Sequence, residues 1–406
     1  MTSARTVAAD PGGHPGTGSG RARMIVAALA VTQTVGYGTL HYAFAVFLTP
    51  IAAGLHASTT AVTGTFTASV LVSAAAAVPV GRWLDRHGGR ALMTGGSLLG
   101  ALMLAAWSQV DALWQLYAVQ IGLGVAGAAS LYEAAFAVVI AWHRPERRPS
   151  ALLAVTVVAG FASTIFLPLT GWLVDQHGWR HALLVLAVVQ GVLTVPLHAG
   201  VLRSVPLTSA VRARRPRVRV RTVLADRGFW LLAVGFTAAA AAIATVTVHL
   251  IGALVSWGHS ATWAAGVAGL FGVLSVTGRL VTTGLQRRFR TTRIVAVIFA
   301  VQALAAATLP VAGRHAVAAV VCVVGFGIGF GVGTIAKPVL LAERYDVSRY
   351  ATIAGFLVVP VTLAKAIAPL AAAAALTSTG SYVPVFAGTA ISCALAAVTI
   401  QGLRRR

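Results

Sequence analysis

Apolar stretches of twenty or more residues recur along this chain, separated by short breaks that carry arginine. A bilayer core about 30 Å thick is crossed by about 20 helical residues, and inside it each backbone polar group must be bonded within the protein. Such runs fold as membrane-spanning helices. They are continuous rather than alternating, which excludes a transmembrane β-barrel. Composition agrees: 58% of the 406 residues are hydrophobic and 10% are charged, against roughly 25% charged in soluble domains.

Length and breaks predict twelve spans, near residues 24–49, 59–81, 91–110, 112–141, 150–174, 181–202, 229–256, 262–284, 293–313, 315–341, 351–376 and 383–402. An even number returns both termini to one side. One set of breaks holds Arg82, Arg86 and Arg90, Arg144 to Arg148, Arg203 to Arg227, Arg287 to Arg293, and Arg344 and Arg349, with the tails bearing Arg23 and Arg404 to Arg406. The opposite set holds only Arg180 and Arg314. The positive-inside rule then makes both tails and the middle break cytoplasmic, in a multi-pass protein of the cell membrane.

The domain plan is a disordered cytoplasmic tail (1–23), an N-terminal six-helix bundle (24–202), a basic cytoplasmic central loop (203–228), a C-terminal six-helix bundle (229–402) and a cytoplasmic tail (403–406). The first 23 residues are Gly/Pro/Ser-rich and lack the apolar core and cleavage site of a signal peptide. A net charge of +22 would suggest nucleic acid in a soluble protein. Here the charges sit between apolar runs, so "VRARRPRVRVR" at 211–221 reads as an inner-face loop drawn to anionic lipid, with no nucleic-acid partner. Cys322 and Cys393 fall within spans and read as plain buried side chains.

The halves repeat. "GAASLYEAAF" from Gly127 parallels "GVGTIAKPVL" from Gly331, matching Gly127 with Gly331, Ser130 with Thr334 and Glu133 with Lys337. Arg148 and Pro168 match Arg349 and Pro369 at nearly the same offset. Internal repeats of this kind build many transporters.

"GRWLDRHGGR" from Gly81 supplies Gly81, Asp85, Arg86, Gly88 and Arg90 in the pattern G-x-x-x-D-R-x-G-x-R. This resembles the signature of the major facilitator superfamily between its second and third helices. With twelve spans, the repeat and the basic central loop, the resemblance covers nearly the whole chain. It implies an all-α fold of two six-helix bundles and a secondary transporter working by alternating access. Asp85 can pair with an arginine or a neighbouring helix end; Gly81 lets helices approach and Gly88 serves the turn. The matching turn of the second half, "GLQRRFRTTR" from Gly284, has no aspartate, so a latch built on Asp85 is one-sided. "HLIGALVSWGHSATWAAGVAGLFGVLSVTGRL" from His249 and "DQHGWRHALL" from Asp175 resemble the monocarboxylate and oxalate:formate branch. Proton-coupled drug antiporters carry R-x-x-x-G in the fourth helix, where this chain has Gln120 ahead of Gly124, and their fifth-helix Gly-Pro motif is reduced to Pro168-x-x-Gly171.

Charge inside the membrane then becomes informative. A lysine or glutamate near the bilayer centre costs about 2.5–3.5 kcal/mol on insertion scales, so it faces a watery cavity or a partner. Glu133, one of nine acidic residues, lies deep in the fourth span, and both lysines of the chain, Lys337 and Lys365, lie in spans ten and eleven. The superfamily's cavity is lined mainly by helices one, four, seven and ten, so the resemblance implies that Glu133 and Lys337 face one another. They form either a substrate- and proton-coupling pair or a structural ion pair locking the halves. Lys365 offers an anion site or a second partner for Glu133, against a packing role. His41 and His249 are candidate proton or substrate contacts, against structural hydrogen bonding. Gln33, Tyr37, Tyr132, Gln120 and Thr245 complete the candidate polar groups, and Arg279 is expected to pack against a helix end or the signature loop.

"GLGVAG" at 122–127 fits G-x-G-x-x-G but follows no strand, so it has no dinucleotide to hold. The glycines 325, 329 and 333 share a helical face suited to close packing, and no phosphate loop accompanies them. No nucleophile with a matching base and no metal-spaced cluster is present in the sequence. The expectation is therefore a transporter, symporter or antiporter, and not an enzyme: no catalytic residue, metal or cofactor, acting as a monomer on a small organic solute, with a carboxylate or other anion favoured and protons one candidate coupling ion. The alternative is a proton-coupled efflux pump for a drug or secondary metabolite. The alanine- and arginine-rich, lysine-poor composition points to a bacterium.

Overall fold

The computed structural model describes residues 19–202, 225–345 and 349–403. Most of the expected 1–23 tail, most of the 203–228 loop and the final three arginines lie outside the described residues. Within them every regular element is helical. α1 (Ser19–Tyr37) passes through a π turn (Gly38–Tyr42) into α2 (Ala43–Gly54), followed by α3 (Thr59–His87), α4 (Gly89–Trp107), α5 (Leu113–Ser130), α6 (Tyr132–Trp142), α7 (Arg148–Ala159) and α8 (Ala162–Val201). The second half contains α9 (Arg227–Ser256), α10 (Ala261–Leu285), α11 (Thr291–Ala312), α12 (Ala316–Gly327), α13 (Val332–Arg344), α14 (Tyr350–Thr379) and α15 (Val383–Gln401).

Among the described residues ten helical stretches are long and apolar enough to cross a membrane. One of them, Pro145–Val201, is 57 residues long and is divided by non-helical dihedrals at Gly178 (φ 75°, ψ 163°). Several helices outrun their apolar runs: α3 continues to His87 and stops at Gly88, whose φ of 78° suits glycine. Apolar length marks the lipid core alone, whereas a helix continues until something caps it. Trp114, Val311, Val317, Leu370 and Val398 are each at least 70% exposed. Such faces suit lipid rather than water.

Three apolar cores organise the helices. One draws only on residues between Val35 and Ala187, a second only on residues between Ala242 and Cys393. The third draws on both halves, through Leu84, Phe136, Ile140, Phe229, Leu341 and Tyr350, at the helix ends that carry the arginine-rich breaks. The halves are therefore sealed on the arginine side. α3 runs along α14 in the most extensive contact between them. A Cβ on Gly81 would run into the carbonyl of Ala351, and one on Gly355 into the carbonyl of Ala77, so backbones meet directly at both places.

Polar groups fix the ends. Asp226 caps α9 by accepting from the Gly228 N–H at 3.0 Å, and also accepts from Arg344 at 2.9 Å and from the Tyr345 hydroxyl, tying α9 to the end of α13. Burial pushes its carboxyl up, but the bonds from Arg344, Tyr345 and Gly228 outweigh this and hold it well below the usual carboxylate range. Within the first half, buried His198 of α8 joins Ser97 of α4 at 2.8 Å and Thr32 of α1 at 3.0 Å.

Candidate functional site

The fourth-span glutamate sits at a break. α5 ends at Ser130, Leu131 is extended (φ −86°, ψ −162°), and α6 restarts at Tyr132, which puts Glu133 in the first turn of a helix inside the membrane. The positive end of α6 favours a carboxylate there. Opposite, the chain leaves its α-helix at residues 328–331 between α12 and α13, and Lys337 lies on the second turn of α13. Its Nζ stands 2.5 Å from Glu133 Oε1, the side chains being 14% and 31% exposed. Residues 204 apart thus close an ion pair between the halves. The two breaks do not fall at matching repeat positions, and the glycines 325, 329 and 333 straddle the second instead of lining one helical face. Gly329 backs onto Gln302, while Gly333 lines a cavity.

That cavity encloses about 370 Å³, within the usual range for small-molecule sites. At 1.5 Å per residue, Glu133 and Lys337 lie roughly 10–14 Å from the arginine-side ends of α6 and α13, and Lys365 roughly 22 Å into α14. The ion pair forms the floor and Lys365 stands above it. Lys365 is exposed to the cavity and has no hydrogen-bond or ion-pair partner among the described residues. The wall from the first half is aromatic: the Tyr37 and Tyr132 rings are 4.5 Å apart, Tyr132 and Phe136 4.9 Å, and His41 and Phe66 5.1 Å. The second half supplies Phe236, Phe330 and both lysines. The π turn carries His41 into the cavity, its wide turn closed by the Ala43 N–H on the Gly38 carbonyl. Such turns recur at functional sites.

The structure brings Glu133, Lys337, Lys365, His41, Tyr37 and Tyr132 together around this space. Gln33, Gln120 and His249, expected as substrate or proton contacts, lie outside its lining. Gln33 is fully buried and donates to the Ser130 carbonyl at 2.8 Å, satisfying a group that the α5–α6 break sets free. His249 Nε2 donates to the Pro369 carbonyl at 3.0 Å, with its ring against Tyr382, and so braces α9 on α14. Gln120 is buried within α5 and Thr245 within α9. Arg279 Nη1 donates to the Thr156 carbonyl at 2.9 Å, at the end of α7 that Gly160 interrupts, so it does pack against a helix end, across the halves. Asp85 takes a helix end too: Oδ1 accepts from the Ala351 N–H at 3.0 Å and Oδ2 from the Thr352 N–H at 2.8 Å, on the first turn of α14. Arg86 and Arg90 are exposed beside it.

Sequence reasoning missed Ser69 and Ser73 of α3 and Thr362 of α14, because helices one, four, seven and ten were expected to line the cavity. α3 and α14 line it as well. The spacing of Ser69, Ser73 and Ala77 along one face of α3 was the available signal. No three His, Cys, Asp or Glu side chains converge as a metal site among the described residues. What the cavity offers is a cationic side chain at Lys365, an aromatic wall, and a carboxylate held in an ion pair with Lys337.

A family model described as Major Facilitator Superfamily matches residues 29–369. An MFS-type efflux pump of Mycolicibacterium smegmatis is 31% identical over 198 residues, which is 48% of this chain and 46% of that protein. The chain thus spans less than half the length of this curated relative. Among solved structures, the Escherichia coli fucose:proton symporter FucP (N162A) superposes with a TM-score of 0.66 at 15% identity, covering 94% of this chain and 97% of the other. A human organic anion transporter gives 0.70 at 14%, covering 94% and 99%. At these identities the likeness is one of fold.

Proposed function

This chain belongs to the Major Facilitator Superfamily, and from that premise we propose that it is a secondary transporter of a small organic anion that alternates access to the Glu133–Lys337–Lys365 cavity. Family membership makes it a multi-pass membrane transporter rather than an enzyme. The ten apolar stretches, with Pro145–Val201 counted as two and the Ser19–Gly54 segment added, support twelve spans in two six-helix bundles. Under the positive-inside rule the sealed arginine side is cytoplasmic, as are both termini, and the cavity opens outward from a bacterial cell membrane. The protein works as a monomer.

One observation carries the substrate class: among the described residues the cavity holds two lysines and one glutamate, and the glutamate neutralises Lys337, leaving Lys365 without an ion-pair partner and facing an aromatic wall. A ring-bearing or otherwise apolar carboxylate satisfies both surfaces, in keeping with the monocarboxylate and oxalate:formate branch. Coupling follows from the floor. When substrate or rocking of the halves draws Lys337 away, Glu133 loses its counter-charge and a proton replaces it as partner. The test is counterflow of labelled carboxylates in proteoliposomes. Saturable exchange of an aromatic monocarboxylate, with KM raised at least tenfold in Lys365→Ala, is expected from the loss of a charge-assisted bond of about 1.5–3 kcal/mol. Indifference to every carboxylate would overturn the assignment.

The efflux-pump name of the partial relative favours a second reading, proton-coupled export of a drug or secondary metabolite through the same cavity. Drug accumulation in cells with and without the protein separates the two.

A further inference from the structure

The turn "QRRFRTTR" between α10 and α11, which lacks the aspartate of its first-half counterpart, borders a second recess of about 850 Å³ outside the transport cavity. Arg287, Arg288, Arg290 and Arg293 line it, and none of their guanidinium groups has a hydrogen-bond or ion-pair partner among the described residues. One carboxylate shares the recess, Glu343, and it already accepts from the Thr291 hydroxyl at 3.0 Å. Four arginines against one glutamate leave the recess lining with a net excess of three positive charges. Val281, Leu285 and Phe289, exposed at 41%, 38% and 50% and spaced four residues apart, carry an apolar strip along one face of α10 up to its rim. Arginine forks bind phosphate oxygens in pairs, and basic pockets beside membrane helices suit anionic head groups.

We propose that this recess is a binding site for an anionic phospholipid, its head-group phosphate held by the four arginines and an acyl chain lying along the Val281–Phe289 strip. A free phosphate would use the arginines equally well but would leave the strip unexplained, and the proximity of both surfaces favours the lipid. The assignment does not depend on the transported substrate.

Full-length protein in a neutral detergent is titrated with phosphatidylglycerol, phosphatidylcholine or inorganic phosphate while its thermal unfolding midpoint is followed. Phosphatidylglycerol is expected to raise the midpoint at a half-saturating concentration at least tenfold below that of phosphatidylcholine. R287Q/R288Q/R290Q/R293Q is expected to lose this preference at least tenfold, whereas R144Q/R147Q/R227Q/R349Q, which removes equal charge from exposed arginines outside the recess, loses less than threefold. Should the fourfold variant fail to fold, R290Q/R293Q reads the same effect at threefold or more. Equal response to the two lipids, an equal loss in the variant of arginines outside the recess, or saturation by inorganic phosphate that abolishes the lipid response would each overturn the proposal.

Discussion

Asp85 of α3 and Thr352 of α14 are joined across the two halves: the Asp85 carboxylate accepts from the Thr352 N–H at 2.8 Å and from its neighbour Ala351 at 3.0 Å. The bond satisfies donors that a helix start leaves open and sets a negative charge at its positive end. It lies on the arginine side, where the halves are closed on each other.

Asp85→Asn should therefore weaken closure by about 1–2 kcal/mol, a shift of roughly 5–30-fold in the balance of conformers. The measurement is labelling of Ser73→Cys, on the cavity wall, by an impermeant maleimide in a Cys322→Ala, Cys393→Ala background. A slower rate from the open side is expected.

Gly355 meets the Ala77 carbonyl with no room for a Cβ. Overpacking of this kind typically costs about 1–3 kcal/mol, so Gly355→Val should lower transport at least fivefold at unchanged membrane abundance. Normal turnover in that variant would mean that the close α3–α14 approach is dispensable.

Asp226 sets an acid limit on stability. Its carboxyl is held below the ordinary value in the folded state, so its contribution is present above the unfolded pKa of about 3.9 and is lost as pH falls through and below that value. Asp226→Asn should destabilise by about 1–3 kcal/mol at pH 7 and narrow its gap to the parent as the pH approaches 3. Parallel pH profiles of thermal unfolding for the two proteins would contradict this.

His198 should behave as a purely structural group. His198→Ala strands the Ser97 hydroxyl in a buried site, at about 1–3 kcal/mol of stability, with KM unchanged for transported substrate. A large KM effect would place the His198 network in the transport path.

The Glu133–Lys337 contact was legible because two matching segments put opposite charges at one repeat position and the family resemblance placed their two helices around one cavity. The break at Leu131 was not legible: no glycine or proline marks it, and it is stabilised by Gln33, 97 residues away, bonding the Ser130 carbonyl. For the same reason Gln33 and His249 looked like cavity groups. Polarity within a span shows that a partner is needed, but not whether that partner is a substrate or a backbone carbonyl on the next helix. Lys365 was legible as a charge but not as the unpaired one, since that depends on Lys337 having been claimed by Glu133.

Proton coupling through Glu133 is tested most directly with Glu133→Gln in proteoliposomes, comparing pH-gradient-driven accumulation with counterflow at equal pH. Loss of gradient-driven accumulation with counterflow retained within about fivefold is the expected result. Accumulation that still follows the pH gradient in Glu133→Gln would contradict a proton-carrying role and leave the pair as a structural clasp between the halves.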